Sequence, residues 1–222
     1  AADYGNHICL TQKEIQPQTD NTDKTMSQRI IYTNSVGETV EKLIAEMDSP
    51  NVFVITDKGA FENALPVLHA QSPLLARATT VTVEQGDENK NIDSLARIWK
   101  ALGDNGATRN SVIVNVGGGV VTDIGGFAAA TFKRGVRFIN VPTTLLGTVD
   151  AAVGGKTGIN FNGLKNEVGC FSEADTVIIS TIFFNTLPQQ QLLSGYAEML
   201  KHGLLENRDA FARLLAYSVV SP

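Results

Sequence analysis

From residue 29 onward the chain shifts between two textures: short runs of apolar or β-branched residues, and longer stretches with one apolar stripe. The runs lie at 30–32, 52–56, 79–83, 112–116, 136–141 and 176–179. Such runs suit parallel strands buried on both faces. Between them, Val36, Val40, Leu43, Ile44 and Met47 recur at helical spacing, as do Leu95, Ile98, Trp99 and Leu102. The stretch 61–70 is expected to be helical, with Pro66 as a break or kink. Strands alternating with helices imply parallel pairing through crossover helices. The expected fold class is α/β, a Rossmann-like layered parallel sheet with helices on both faces.

After residue 141 the texture changes. Residues 156–161 alternate, Asn162-Gly163 signals a hairpin turn, and pairing resumes at Leu164. Beyond Pro188 everything reads as helix. Leu192, Leu193, Tyr196, Met199, Leu200 and Leu204 are expected on one face, and 209–219 as a second helix. The expected organisation is a polar lead-in at 1–28, an α/β domain at 29–187, and the start of an incomplete all-helical domain at 188–222. A helical piece that short buries little surface by itself. Met26 offers an alternative start, which would make the residues before it an extension.

Composition narrows the function classes. The 222 residues are 43% hydrophobic, enough for a sizeable core, and carry a net charge of −5. An acidic chain is a poor match for a phosphate backbone, so nucleic acid is not an expected partner. Cys9 and Cys170 form no CxxC pair, which favours a reducing cytoplasm over a disulfide framework. No apolar span suits a bilayer and no leader pattern opens the chain.

The chemistry concentrates at three places. The first is Gly117-Gly118-Gly119, between the 112–116 run and a helix-compatible segment. Helix N-termini carry unpaired N–H groups and a positive dipole end, and glycines let a ligand reach them, so a pyrophosphate fits there. A plain tight turn is equally open. The spacing is not GxGxxG. The place of a ribose-binding acid about 20 residues on is taken by Arg137 and Asn140, leaving Asp57 as the nearest strand-end acid. Gly125-Gly126 inside the helix points to close packing. Asp123 is expected in the first helical turn, as a dipole partner or a ligand contact. Thr143 and Thr144 follow a strand end, as helix caps or phosphate donors.

The second place is cationic: Lys133, Arg134, Arg137, Lys156, Lys165 and Lys201. Each alone suits a solvated surface charge; together they are expected to hold a phosphorylated substrate. Gly154-Gly155 would let a ligand approach the backbone beside Lys156. The third is Glu198, Lys201 and His202, neighbours on one helix face. This is a surface salt bridge, or a carboxylate metal ligand beside a catalytic ammonium. Glu198 with His202 could chelate a metal, though a divalent site wants about three protein ligands.

Six segments occur together in the order and spacing of the 3-dehydroquinate synthases. They are Gly117 to Asp123, Lys133-Arg134-Gly135, Pro142 to Leu146, Val149-Asp150 with Gly154-Gly155-Lys156, Lys165-Asn166, and Ala197 to Lys201. The chain resembles that family from about residue 30 to about 205. The resemblance implies a shikimate-pathway lyase converting 3-deoxy-D-arabino-heptulosonate 7-phosphate to 3-dehydroquinate with release of phosphate. In that family NAD transiently oxidises a ring hydroxyl, phosphate is eliminated, and an aldol step closes the ring. A zinc or cobalt ion acts as Lewis acid. The resemblance places Gly118, Gly119 and Asp123 at the pyrophosphate and nicotinamide side. Thr143, Thr144, Lys165, Thr186 and Leu187 would make further NAD contacts, and Asp57, Asp87 and Lys90 would mark the adenosine end. It implies Asp150, Lys156, Asn166 and Lys201 as substrate groups, Arg134 reaching a neighbouring subunit's substrate in a homodimer, and Glu198 as first metal ligand.

The chain departs from the family at Asp87, where Glu is usual, at Ser180, where Asp is frequent, and at Gln189-Gln190-Gln191, where Arg is common. The family's two metal-binding histidines belong to a C-terminal half not found in these residues, so NAD binding without turnover is expected of them alone. The alternatives are another sugar-phosphate cyclase, a metal-dependent polyol dehydrogenase, or an NAD-binding module without catalysis.

Overall fold

The computed structural model describes residues 28–49 and 51–216. All but the last residue of the expected lead-in, Cys9 included, and the last residues of the 209–219 helix lie outside them. The chain runs β1 (Arg29–Tyr32), α1 (Val36–Glu46), β2 (Val52–Asp57), α2 (Lys58–Asn63), α3 (Leu65–Gln71), α4 (Pro73–Arg77) and β3 (Thr79–Val83). It continues through α5 (Ile92–Asp104), β4 (Val112–Gly117), α6 (Gly119–Thr131), β5 (Arg137–Pro142), β6 (Lys156–Phe161) and β7 (Leu164–Phe171). It ends with β8 (Thr176–Ile179), α7 (Gln189–Glu206) and α8 (Arg208–Leu215).

Six strands form one parallel sheet in the order β1-β8-β5-β4-β2-β3. Successive side chains point to opposite faces, and both faces are covered. Val54, Val112, Val114, Val141 and Ile178 pack under α1, α3 and α4. Phe53, Ile55, Ile113, Phe138 and Val177 pack under α5 and α6. The expected α/β class is therefore what the chain adopts.

The single helix expected at 61–70 is two. Asp57 caps α2 by accepting from Ala60 N at 2.9 Å, and α3 restarts with Pro66 in its first turn, where no N–H is required. The five-residue α4, capped by Ser72, is too short for a readable stripe. In α7 the face differs from the one expected. Gly195, Met199 and Gly203 are buried, while Leu193 and Leu204 are exposed. The reason is steric: a Cβ on Gly195 would stand 2.6 Å from Leu145 Cβ and Leu146 N. The bare side of the helix thus seats on the 145–146 backbone, beside a small cluster of Leu145, Phe184, Met199 and Leu214.

Candidate active site: two clefts along one helix

The chain leaves β2 toward β3 on one side of the sheet and leaves β4 toward β5 on the other. Strand order therefore reverses between β2 and β4, where α/β sheets open a crevice at their C-terminal ends. A cleft of about 490 Å³ lies there, lined by Asp57, Gly118, Gly119, Thr143, Thr144 and Thr186 among others. Gly118 is the N-cap of α6 and no side chain caps it. A Cβ on Gly118 would come within 3.0 Å of Thr144 Cγ2. Thr144 acts as a local cap, its Oγ1 accepting from Gly147 N at 3.0 Å. Thr143 is buried, and its N–H joins β5 to β4 through Gly117 O at 2.9 Å. Asp57 is engaged as the cap of α2 and accepts from Gln85 Nε2 at 3.3 Å. Leu187 does not line this cleft; it packs on the cluster beneath α7.

A second cleft, of about 470 Å³, opens farther along α6 and is lined by Asp123, Asp150, Lys156, Thr157, Asn166 and Cys170 among others. Asp123 is the fifth residue of α6, beyond the first turn where it was expected, so it is not a dipole cap. It partners Lys90 instead. Lys90, almost wholly buried, donates to Asp123 Oδ2 at 2.8 Å and to Asn166 Oδ1 at 2.6 Å. Asp87 Oδ1 stands 3.7 Å from the same ammonium. Burial pushes the Asp123 carboxyl above the ordinary range, partly opposed by Lys90. Asp87 moves the other way: its contact with Lys165, at 3.0 Å, holds it below that range.

A bulge in the β6–β7 hairpin aims these groups. Phe161 pairs with Leu164 but Ile159 with Val168, so Lys165, Asn166 and Glu167 together oppose Asn160. Asn166 adopts a left-handed φ of 53°, and its N–H donates to Asn160 Oδ1 at 2.9 Å. Asn160 also donates to Asp87 O at 2.7 Å, tying the hairpin to the 87–90 loop. Asn160 was not singled out from the sequence; an NG hairpin signal does not reveal a bulge. Lys165 and Lys90 therefore meet Asp87 and Asp123 rather than the glycine cleft.

A third grouping brings helix α7 to the turn after β5. A single π-helical turn at 147–151 presents Asp150. Beneath it Asn115 and Asn140, paired across β4 and β5 and both buried, pass a hydrogen bond at 2.9 Å. Asn140 then donates to Ala152 O at 3.1 Å, anchoring that turn. Two further glycines make room above: a Cβ on Gly125 would stand 2.1 Å from Asn115 Oδ1, and one on Gly126 2.6 Å from Thr157 Cγ2. Close packing is thus the reason for Gly125-Gly126. One ligand atom each from Asp150, Glu198 and His202 lies within 4.8 Å of the others. Lys201 forms an ion pair with Glu198, and that contact raises its pKa. Two carboxylates and an imidazole are a donor set that suits a divalent cation such as zinc or cobalt.

The expected cationic cluster does not assemble within one chain. Lys133 and Arg134 follow the C-terminus of α6, and Arg137 begins β5 at the opposite end of the sheet from Gly117. Arg137 pairs with Asp175, and Lys133 lies 5.3 Å from the Phe132 ring centroid. Lys156 alone of these cations lines the second cleft. Gly154 and Gly155 take positive φ values of 87° and 69°, so they serve the turn into β6. Ser180 is buried and donates to Asn34 Oδ1 at 2.9 Å. No helix among the described residues is long and apolar enough to cross a membrane.

The chain is similar to the 3-dehydroquinate synthase of Parabacteroides distasonis, 45% identical over 192 residues, covering 86% of this chain and 54% of that protein. It is also similar to that of Rhodopirellula baltica, 48% identical over 138 residues, covering 62% and 37%. The chain thus spans about half the length, or less, of these curated relatives. Among solved structures, 2-deoxy-scyllo-inosose synthase complexed with carbaglucose-6-phosphate, NAD+ and Co2+ superposes with a TM-score of 0.69 at 26% identity, over 81% of this chain and 49% of that one. The glycerol dehydrogenase of Schizosaccharomyces pombe, at 18% identity and a TM-score of 0.60 over 82% and 44%, shares the fold. The family profile described as 3-dehydroquinate synthase N-terminal matches residues 80–194, more than half of the chain. That span holds the glycine turn, Asp123, Asp150, Lys156 and the bulged hairpin, and by it the chain belongs to the 3-dehydroquinate synthase family.

Proposed function

We propose that this chain is the NAD-binding part of a 3-dehydroquinate synthase. The whole enzyme would convert 3-deoxy-D-arabino-heptulosonate 7-phosphate to 3-dehydroquinate and phosphate in the shikimate pathway. One observation carries the reading: α6 offers bare backbone to one cleft and, a turn later, Asp123 to the next. A dinucleotide with its phosphates at Gly118 and Gly119 would run toward Asp123, where Asp150, Lys156 and Asn166 converge. Thr143, Thr144 and Thr186 line its path, and Asp57 marks the far end.

When bound, NAD supplies reversible oxidation of a substrate hydroxyl, and the cation supplies Lewis acidity. The chain's own residues do the rest. Lys156 and Asn166 bind and orient the sugar acid. Lys90 fixes Asp123 and Asn166 relative to each other. Lys201 and Asp150 are placed to hold or move protons beside Glu198, one ligand of the cation. Arg134, remote from both clefts, would serve a neighbouring subunit in a homodimer. Residues 29–187 form the NAD-binding domain and 188–222 open a helical one. A cytoplasmic location suits Cys170, a free thiol.

The test is phosphate release from the heptulosonate phosphate by the whole protein supplied with NAD and Zn2+ or Co2+. Phosphate should appear with no accumulation of NADH. NADH without phosphate would replace this reading with a polyol dehydrogenase. NAD binding with neither product would mark a module without catalysis.

A further inference from the structure

We infer that Asn160, which lines neither cleft, is a positioning residue: it clasps the 87–90 loop to the bulged hairpin so that Asn166 presents its amide N–H groups, not its carbonyl, to the substrate. The inference rests on the proposed function for the substrate and goes beyond it in naming what aims the contact.

Asn160 is half-buried in β6, opposite the bulged residues of β7. Hydrogen bonds converge on it from both segments. Its Oδ1 accepts from Asn166 N at 2.9 Å. Its Nδ2 donates to Asp87 O at 2.7 Å and to Asp87 Oδ2 at 3.1 Å. Its own backbone N–H donates to Lys90 O at 2.7 Å. A backbone N–H only donates and a carbonyl only accepts, so the Asn160 amide has one workable orientation. An amide carries its acceptor and its donors on separate arms, which neither a hydroxyl nor a carboxylate reproduces. One residue thus grips the backbones on both sides of the Lys90–Asn166 contact.

The clasp decides which end of Asn166 faces the cleft. At a φ of 53° Asn166 is left-handed, a conformation that Asn tolerates better than most residues but that neighbours must hold. The bond to Asn160 Oδ1 is that hold. The Lys90 ammonium, a donor only, stands 2.6 Å from Asn166 Oδ1. The oxygen is therefore occupied, and the Nδ2 end remains for the cleft that Asn166 lines. Donors at that place take an acceptor, such as a hydroxyl, carbonyl or carboxylate oxygen of a sugar acid. Without Asn160 the loop and the hairpin lose their link, Lys90 loses its seat beside Asn166, and the amide is free to turn.

The experiment measures phosphate release from the heptulosonate phosphate by the whole protein at saturating NAD and Zn2+, in a double-mutant cycle of Asn160→Ala and Asn166→Gly. Glycine removes the amide while accepting the positive φ. Hydrogen exchange at the Asn166 amide is followed in parallel, and thermal melts show which variants are folded. N160A should lower kcat/KM by about 30-fold and speed Asn166 exchange by about tenfold or more. In the N166G background, removing Asn160 should cost less than about threefold more. Should N160A fail to fold, Asn160→Asp takes its place in the cycle. It keeps the acceptor for Asn166 N–H but sets a carboxylate against Asp87, and its loss of activity should likewise vanish in the N166G background. Losses that multiply overturn the inference, as does unchanged Asn166 exchange in N160A. Absence of phosphate release by the unaltered protein would instead sink the proposed function, while Asn166 exchange still decides the clasp.

Discussion

The two clefts along α6 work by opposite means. The glycine cleft is lined by neutral groups, many of them small, with Asp57 as its one charged lining residue. What it offers a ligand is backbone N–H and threonine hydroxyl. The neighbouring cleft is lined by four charged groups, the part-buried Asp123, which is paired with Lys90, and the exposed Asp150, Lys156 and Glu167. A backbone site is spoiled by adding a side chain and tolerates loss of charge nearby. A charged site is spoiled by removing one partner, because the other is left unneutralised. Lys90 joins α6 to the β6–β7 hairpin behind the second cleft, reaching from the loop after β3 to Asp123 and Asn166.

That join is where the largest effect is expected. Lys90→Met leaves Asp123 half-enclosed without its cation and should lower unfolding free energy by about 3 kcal/mol at neutral pH, read by urea titration. The sign of the pH dependence is fixed by Asp123. Its native pKa is already raised, so stability falls as pH rises from 3.8 through the native value. Removing Lys90 raises that value further, so the variant's deficit should shrink on acidification. A deficit that grows toward acid pH would refute the role given to Lys90.

The next effects separate the clefts. Gly118→Val should weaken NAD by about 100-fold, or about 2.7 kcal/mol, by calorimetry, while Lys156→Ala leaves NAD affinity within twofold. Equal losses in both variants would show that one continuous site, not two, governs the cofactor. Gly125→Ala tests packing alone. Its new methyl meets Asn115, so stability should drop by about 2 kcal/mol with NAD affinity nearly unchanged.

The smallest effect belongs to the hairpin surface. Lys165→Met should return the Asp87 carboxyl toward the ordinary range, followed by carboxyl carbon NMR. Asp87 contributes stability that is present above its unfolded pKa of 3.8 and is lost as pH falls through its lowered native value. Lys165 is mostly exposed, so solvent screening limits the stability change to about 0.5 kcal/mol or less.

Much of the architecture was legible in the chain. Valine and isoleucine runs announced the strands, stripes announced α1 and α5, and Asn162-Gly163 announced the hairpin. Those signals act over a few residues, because φ/ψ preference and burial on one face are local matters. The place of Gly118, Gly119, Thr144 and Asp57 beside the strand ends was legible too, and the sheet opens its crevice there.

What the tertiary structure alone decided is which of those residues meet. Lys90 and Asn166 are 76 positions apart, and only the bulge turns Asn166 toward the buried ammonium. Asp150 reaches Glu198 and His202 only because Gly195 lets α7 settle on the 145–146 backbone. The outward turn of Leu193 and Leu204 follows from the same contact. Helical periodicity marks an apolar stripe, but steric fit between distant backbones selects which side of the helix is buried.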